Sequence, residues 1–201
     1  MKKILLVGST GIIGSAITKE LSSDCQVISA SFSRGDFLVD ITQSSSIKKL
    51  YEQVGPVDAV VCAAARGVIF SRLPDMSLLD FKNSMQSKLW GQIDLVLQGM
   101  EYVSEGGSFT LTTGILNKDP IIKGAAASLA NSAIEGFVHA ASIDMPKCQR
   151  INVVSPALLT ESKTNVGSLF PGYSTVDADT VAKAYRKSVF SGHNGRIYDV
   201  L

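Results

Sequence analysis

Residues 3–14 have the sequence KILLVGSTGIIG, in which an apolar, strand-like run leads directly into three glycines. Gly8, Gly11 and Gly14 have the spacing G-x-x-G-x-x-G, and a helical pattern follows over residues 11–21. In such a unit the first glycine permits a tight turn, the second lets a pyrophosphate approach the backbone, and the third lets the helix pack closely on the strand. A turn that serves chain reversal alone is the alternative, but the strand–turn–helix context favours a dinucleotide site.

The start of this helix would offer free N–H groups and a partial positive charge to phosphates. We therefore expect five residues to hold the pyrophosphate of a dinucleotide: Gly8, Ser9, Gly11, Ile13 and Gly14.

Short apolar runs alternate with amphipathic stretches along the rest of the chain. Strands are predicted over residues 3–7, 26–30, 37–39, 58–63, 107–113, 150–154 and 196–200, and helices over residues 11–21, 44–53, 78–102, 124–145 and 177–189. Strands that are apolar throughout are typical of parallel sheets covered on both faces. The pattern predicts an α/β fold, a single doubly wound (Rossmann) domain over residues 1–201 with a seven-stranded, mostly parallel sheet. The irregular stretch 160–175 is a candidate lid.

Composition excludes several classes of protein. A length of 201 residues suits one domain, and 45% hydrophobic against 18% charged residues argues against disorder. Nineteen basic and 18 acidic residues give a net charge of +1, which favours neither nucleic acid nor a membrane surface. Three separated cysteines and two isolated histidines predict no disulfide framework and no metal site. With no signal peptide and no apolar run of about 20 residues, a cytoplasmic location is expected.

The second predicted strand bears on which dinucleotide binds. It ends in the sequence ASFSR, residues 30–34, with no acidic residue before Asp36. An acid at this point would bind the ribose hydroxyls of NAD, whereas an arginine accommodates the 2′-phosphate of NADP. Ser31, Ser33 and Arg34 are therefore the candidate phosphate ligands, and NADP is predicted, with NAD as the second possibility. A solvated loop arginine is the alternative for Arg34.

Over essentially its whole length the chain resembles the short-chain dehydrogenase/reductase family. The resemblance rests on the glycine turn and four further segments: VDIT (39–42), DAVVCAAA (58–65), INVVSP (151–156) and GRIYDV (195–200). In the second of these segments, both asparagines and the glycine of the family's Asn-Asn-Ala-Gly motif are replaced. The resemblance implies six further cofactor contacts: Asp40 and Ile41 at the adenine, Ala63 and Ala64 beside the nucleotide, and Pro156 and Thr160 near the nicotinamide.

The family's active site uses Asn, Ser, Tyr and Lys, and this sequence departs from all four. Alignment puts Thr113 at the serine, Lys88 at the asparagine, Ala127 at the tyrosine and Asn131 at the lysine. None of the five tyrosines of the chain has a lysine four residues later. Since alanine cannot transfer a proton, the usual acid–base group is missing.

Lys88 and Thr113 are the candidate catalytic residues. A lysine partly buried beside a cofactor can serve as acid or base, and Thr113 would orient a carbonyl; Ser128 and Tyr173 are further candidates. The alternatives are an interface or ribose-binding role for Lys88 and an ordinary strand-end hydroxyl for Thr113.

Three hypotheses follow. The first is an NADP-dependent oxidoreductase with an altered active site, acting on a small carbonyl or alcohol. The second is a non-catalytic NADP(H)-binding sensor or scaffold. The third binds no nucleotide and acts through its dimer surface. The resemblance also implies a homodimer or homotetramer through the helices around 78–102 and 124–145, with Trp90 as an interface anchor.

Overall fold

The computed structural model describes all residues, 1–201, and confirms the predicted fold class. Its strands are β1 (Lys2–Val7), β2 (Cys25–Ser31), β3 (Phe37–Leu38), β4 (Val57–Cys62), β5 (Val103–Thr112), β6 (Arg150–Pro156), β7 (Leu158–Leu159), β8 (Thr175–Val176) and β9 (Ile197–Val200). Seven of them form one sheet in the order β3-β2-β1-β4-β5-β6-β9, and every pairing in it is parallel. The short strands β7 and β8 pair separately.

Helices cover both faces of this sheet. They are α1 (Ile12–Leu21), α2 (Ser44–Val54), α3 (Leu78–Met85), α4 (Gln92–Gly99), α5 (Ala125–Ala141), α6 (Lys163–Val166) and α7 (Ala178–Phe190). Alternate residues of β1 point to opposite faces, so Leu5 joins the core under α2, α4 and α5, while Leu6 joins the core under α1 and α7. No helix combines the length and the apolar character that crossing a membrane requires.

Three differences between the predicted elements and the structure affect the helices and the candidate lid. The helix predicted over 78–102 is α3 and α4 separated by a π-helical segment, Gln86–Gly91, and it ends at Gly99. The helix predicted over 124–145 ends at Ala141, four residues earlier than predicted. The stretch 160–175 is not irregular throughout, because it holds α6, short 3₁₀ turns and the first residue of β8.

The order of the strands decides where a ligand can bind. The chain runs outward from β1 to β2 and β3, and then returns to β4 on the other side of β1. In doubly wound sheets this reversal leaves a crevice at the carboxyl ends of the strands. The turns that follow β1, β4, β5 and β6 all meet at this edge.

The glycine turn allows α1 to pack against β1. A Cβ atom on Gly14 would lie 2.0 Å from the carbonyl oxygen of Gly8, a backbone atom that cannot move aside. Gly14 is therefore required by the packing of the helix on the turn.

Replacing Gly14 with alanine should lower the free energy of unfolding by at least about 2 kcal/mol, because the added methyl group overlaps the backbone. The matched control is Gly136→Ala in α5, where a Cβ would meet nothing within 4 Å. We expect the control to be neutral or to gain up to about 1 kcal/mol from helix propensity. Urea denaturation measures both, and equal effects of the two substitutions would contradict this account.

Candidate active site

Two adjoining cavities lie at the carboxyl edge of the sheet. The small cavity, about 200 Å³, lies between the glycine turn and the ends of β2, β3 and β4. The large cavity, about 440 Å³, lies beyond the ends of β5 and β6 and is lined by 12 hydrophobic residues out of 20. Ala65 and Arg66 line both cavities, so the two form a continuous groove.

The sequence-predicted residues divide between these cavities. Six line the small cavity: Gly8, Gly11, Ser31, Ile41, Ala63 and Ala64. Six line the large cavity: Ile13, Lys88, Thr113, Pro156, Ala127 and Asn131.

The other predicted residues line neither cavity. Ser9 is buried, with its hydroxyl 3.4 Å from the carbonyl oxygen of Ala30. Ser33, Arg34 and Thr160 are exposed to solvent. Gly14 packs beneath the turn, and Asp40 lies beside the small cavity, where its carboxylate pairs with Arg66 at 2.7 Å.

The glycine turn has the features that a bound pyrophosphate requires. Gly8 has a positive φ of 88°, and a Cβ on it would lie 2.6 Å from the backbone nitrogen of Ala64. Gly11 is different, because its φ is −77° and a Cβ on it would make only an ordinary contact, 3.5 Å from the carbonyl oxygen of Gly8. Neither packing nor backbone conformation requires glycine at position 11, so its effect is to leave open the space before α1.

The N-terminus of α1 faces that open space without a cap. The N-cap residue is Gly11, which has no side chain that could accept a hydrogen bond from the first turn. The N–H groups of Ile12, Ile13 and Gly14 have no partner in the chain. Such groups are ready donors for phosphate oxygens. The turn therefore fits a dinucleotide on its own geometry.

Lys88 lies within the π-helical segment between α3 and α4. Its ammonium donates to the carbonyl oxygen of Thr113 at 3.3 Å, and no carboxylate forms an ion pair with it. Because burial disfavours the charged form, the pKa of Lys88 is lowered from 10.5 to about 8. An unpaired ammonium facing a mostly apolar cavity, on a π segment of the kind common at functional sites, is suited to proton transfer.

Gln92 fixes the π segment to the end of β5. Its Nε2 donates to the carbonyl oxygens of Lys88 (2.6 Å) and Thr112 (2.9 Å), and its Oε1 accepts from the N–H of Thr112 (2.8 Å). This fully buried amide places Lys88 beside Thr113. In the sequence, the only signal for this positioning role is that a glutamine lies four residues after Lys88.

Thr113 directly follows β5 and is almost fully buried against the large cavity. Its hydroxyl has only long contacts, 3.5 Å to a carboxylate oxygen of Glu135 and 3.5 Å to the carbonyl oxygen of Val154. The hydroxyl is therefore held weakly and can turn toward a ligand.

Two other candidate residues, Ser128 and Tyr173, do not line the large cavity. The hydroxyl of Tyr173 donates to the backbone carbonyl of Asp119 at 2.9 Å, and Tyr173 does not line the large cavity. Ser128 lines a separate surface pocket.

Cys62 is fully buried and its pKa is raised to about 12 by desolvation, so it is an unreactive thiol.

Comparison with known proteins decides the family. The family model described as "Enoyl-(Acyl carrier protein) reductase" matches residues 10–200. The chain belongs to the short-chain dehydrogenase/reductase family. No curated protein matches it significantly.

Solved structures agree with this assignment. The protein lin1944 from Listeria innocua is 46% identical, with a TM-score of 0.98 and full coverage of both chains. A small-chain dehydrogenase is 25% identical, with a TM-score of 0.85, over 99% of this chain and 95% of that one. A small-chain dehydrogenase in complex with NADPH shares the fold at 24% identity, with a TM-score of 0.87 over 99% and 96% of the chains.

In this short-chain dehydrogenase/reductase, α5 lines part of the large cavity. Ala127 and, one turn later, Asn131 line it, the two residues that the resemblance predicted in place of the family's tyrosine and lysine. The Nδ2 of Asn131 donates to the carbonyl oxygen of Gly114 at 2.8 Å, but its Oδ1 is buried and has no partner. Since an unsatisfied buried acceptor is costly, this oxygen fits a hydroxyl group of a bound ligand, such as a cofactor ribose.

Replacing Lys88 with methionine should stabilise the fold at pH 7, by up to about 3 kcal/mol, because it removes a desolvated charge. Between pH 8 and 10.5 the unfolded parent binds a proton that the folded parent has already released, so the parent gains stability as pH rises. The advantage of the variant should therefore shrink over this interval. Denaturant unfolding at pH 7 and pH 10 measures it, with Lys82→Met on the exposed side of α3 as the control. An advantage that does not change with pH would contradict a depressed pKa.

Proposed function

We propose that the chain is an oxidoreductase that binds NADP(H) and transfers a hydride to or from a small carbonyl or alcohol, with Lys88 as its proton-transfer group. The observation that carries the proposal is the unpaired ammonium of Lys88 in the apolar large cavity, which is continuous with the cavity at the glycine turn. Family membership supports the reaction class.

The glycine turn and α5 would hold the cofactor. The open space at Gly11 and the free N–H groups of Ile12 and Ile13 suit the pyrophosphate. The unpaired Oδ1 of Asn131 suits a hydroxyl of the nicotinamide ribose. When bound, the cofactor would supply the hydride in carbonyl reduction and accept it in alcohol oxidation, which the side chains of this protein cannot do.

Lys88 and Thr113 would act on the substrate. In carbonyl reduction, the hydride adds to the carbonyl carbon while the oxygen takes a proton from the ammonium of Lys88, which is left neutral. In alcohol oxidation, neutral Lys88 would accept the hydroxyl proton while the carbon bearing the hydroxyl gives up its hydride to the cofactor. The weakly held hydroxyl of Thr113 would orient the substrate oxygen. A pKa of about 8 makes both protonation states of Lys88 accessible near neutral pH.

The walls of the large cavity favour a small, apolar substrate. Val68, Phe70, Val166 and Phe170 are among the residues that line it. Part of the 440 Å³ would be taken by the nicotinamide, which leaves room for a small molecule. Apart from Lys88, this cavity has no basic group except Arg66, at its junction with the small cavity.

A second candidate function is non-catalytic NADP(H) binding, as a sensor or scaffold. The observation that favours it is Ala127, a methyl group where the family has its acid–base phenol. Both functions predict cofactor binding, and only the first predicts consumption of NADPH with a carbonyl panel. Failure to bind either NADPH or NADH at millimolar concentration would contradict both.

The rate of carbonyl reduction should fall as pH rises through about 8, because the protonated form of Lys88 is the donor. Alcohol oxidation should rise over the same interval, because it needs the neutral form. Lys88→Met should lower kcat by about 10²- to 10⁴-fold, and Lys82→Met should leave it unchanged. Steady-state pH profiles measure these effects; a Lys88→Met enzyme with the parent's kcat would remove Lys88 from the mechanism.

Gly11→Ala should separate cofactor binding from folding. The thermal midpoint should stay within a few degrees of the parent's, since the added methyl makes no close contact in the free protein. The Kd for NADPH should rise by about 10-fold or more, because the methyl fills the space before α1. Fluorescence titration and thermal unfolding measure the two effects, with Gly136→Ala as the control. Unchanged affinity would show that no phosphate approaches Gly11.

A further inference from the structure

The guanidinium of Arg66 lies at the end of β2, although Arg66 is distant from this strand in the sequence. The guanidinium carbon of Arg66 lies 3.6 Å from the ring centroid of Phe32, the residue that directly follows β2. In doubly wound folds, residues just after this strand distinguish the 2′-hydroxyl of NAD from the 2′-phosphate of NADP. Arg66 follows β4 in the sequence, but its charge lies where that distinction is made.

Arg34 is poorly placed for the same role. Its side chain is exposed, lines neither cavity and makes no hydrogen bond or ion pair. The hydroxyl of Ser31 is used within the local turn, where it donates to the carbonyl oxygen of Arg34 and accepts from the N–H of Arg34. Ser31 lines the small cavity, but its hydroxyl is already engaged.

The backbone of Arg66 is anchored by buried side chains, whereas its own side chain lies at the surface. The N–H of Arg66 donates to the hydroxyl of Ser87 at 3.2 Å, and the N–H of Ile69 donates to the hydroxyl of Ser84 at 3.0 Å. Both serines are buried on the α3 and π-helical run. The Arg66 side chain is 45% exposed, so it can change partner without disturbing the core.

The ion pair between Arg66 and Asp40 can break at little cost in free energy. The carboxylate oxygen of Asp40 that accepts from Arg66 at 2.7 Å also accepts from the N–H of Thr42 at 3.0 Å and from its hydroxyl at 2.8 Å. Asp40 would keep these bonds after Arg66 turned away. An exposed pair of this kind is weak, whereas a phosphate dianion offers the guanidinium a bidentate, charge-assisted contact.

We propose that Arg66 binds the 2′-phosphate of NADP(H) and is the residue that makes the site prefer NADP(H) to NAD(H). The guanidinium would stay over Phe32 and exchange the Asp40 carboxylate for the phosphate. This inference rests on the proposed cofactor binding and assigns its selectivity to a residue outside the β2 turn.

The test compares Arg66→Gln with the matched variant Arg34→Gln. Both remove one arginine charge and keep a polar side chain. Dissociation constants for NADPH and NADH are measured by fluorescence at pH 7.5, where a phosphate monoester is largely dianionic, at one fixed salt concentration. Adenosine 2′,5′-bisphosphate and 5′-AMP serve as probes that lack the nicotinamide. Thermal unfolding checks that each variant is folded.

Arg66→Gln should raise the Kd for NADPH by about 10- to 100-fold, as expected for loss of a charge-assisted bond. Its Kd for NADH should change less than about threefold, and the bisphosphate should lose affinity while 5′-AMP does not. Arg34→Gln should change every Kd by less than about threefold.

Several results would overturn the inference while leaving cofactor binding intact. They are an equal loss for NADPH and NADH in Arg66→Gln, tighter binding in that variant, or a selective loss for NADPH in Arg34→Gln as large as that in Arg66→Gln. If the parent binds neither cofactor, the proposed function itself fails, and this inference fails with it.

Discussion

At the glycine turn, the backbones of the turn, of α1 and of the segment after β4 lie so close together that a Cβ atom would not fit between them. The site depends on this contact. A Cβ at Gly8 would overlap the backbone of Ala64, and one at Gly14 would overlap Gly8 itself. The turn is therefore held between β4 and the first residues of α1. This contact places the uncapped end of α1 beside the small cavity. Gly11, which packing does not require to be glycine, lies at that point and keeps it open.

The large cavity depends on a different constraint, the hydrogen bonds of Gln92. One buried amide satisfies three backbone groups, one on the π segment and two at Thr112. In the widened turn of the π segment, the amide of Gln92 is the side-chain donor to the carbonyl oxygen of Lys88. The bonds hold the ammonium of Lys88 near the end of β5 while leaving it no carboxylate partner. Its lowered pKa is thus a consequence of how the helix is attached to the sheet.

The sequence predicted the layered fold because its signals are local: apolar strands, amphipathic helices and the spacing of Gly8, Gly11 and Gly14. It also predicted Lys88 and Thr113 as candidate catalytic residues, and both line the large cavity. It did not indicate the π segment, because insertion of an extra residue per turn depends on tertiary contacts such as those of Gln92. It also did not indicate Arg66, because the side chain reaches from the end of β4 to Phe32 and Asp40, which are distant in the sequence. Contacts of this kind depend on where the strands lie relative to one another, and not on any local pattern.

Lys88 and Asn131, two polar residues of the large cavity, depart from the family's pattern in a linked way. Where the resemblance places an asparagine and a lysine in the family, this chain has Lys88 and Asn131, so the cation and the amide have changed places across the cavity. On α5, a lysine would act through the neighbouring tyrosine, which is Ala127 here. On the π segment, the ammonium faces the cavity with no phenol between it and a substrate, and its own pKa is already lowered to about 8. An amide at Asn131 can still accept from a ribose hydroxyl but adds no positive charge that would depress the pKa of Lys88 further. The exchange therefore supports the proposal that Lys88 transfers the proton directly to or from the substrate, without a phenol between them.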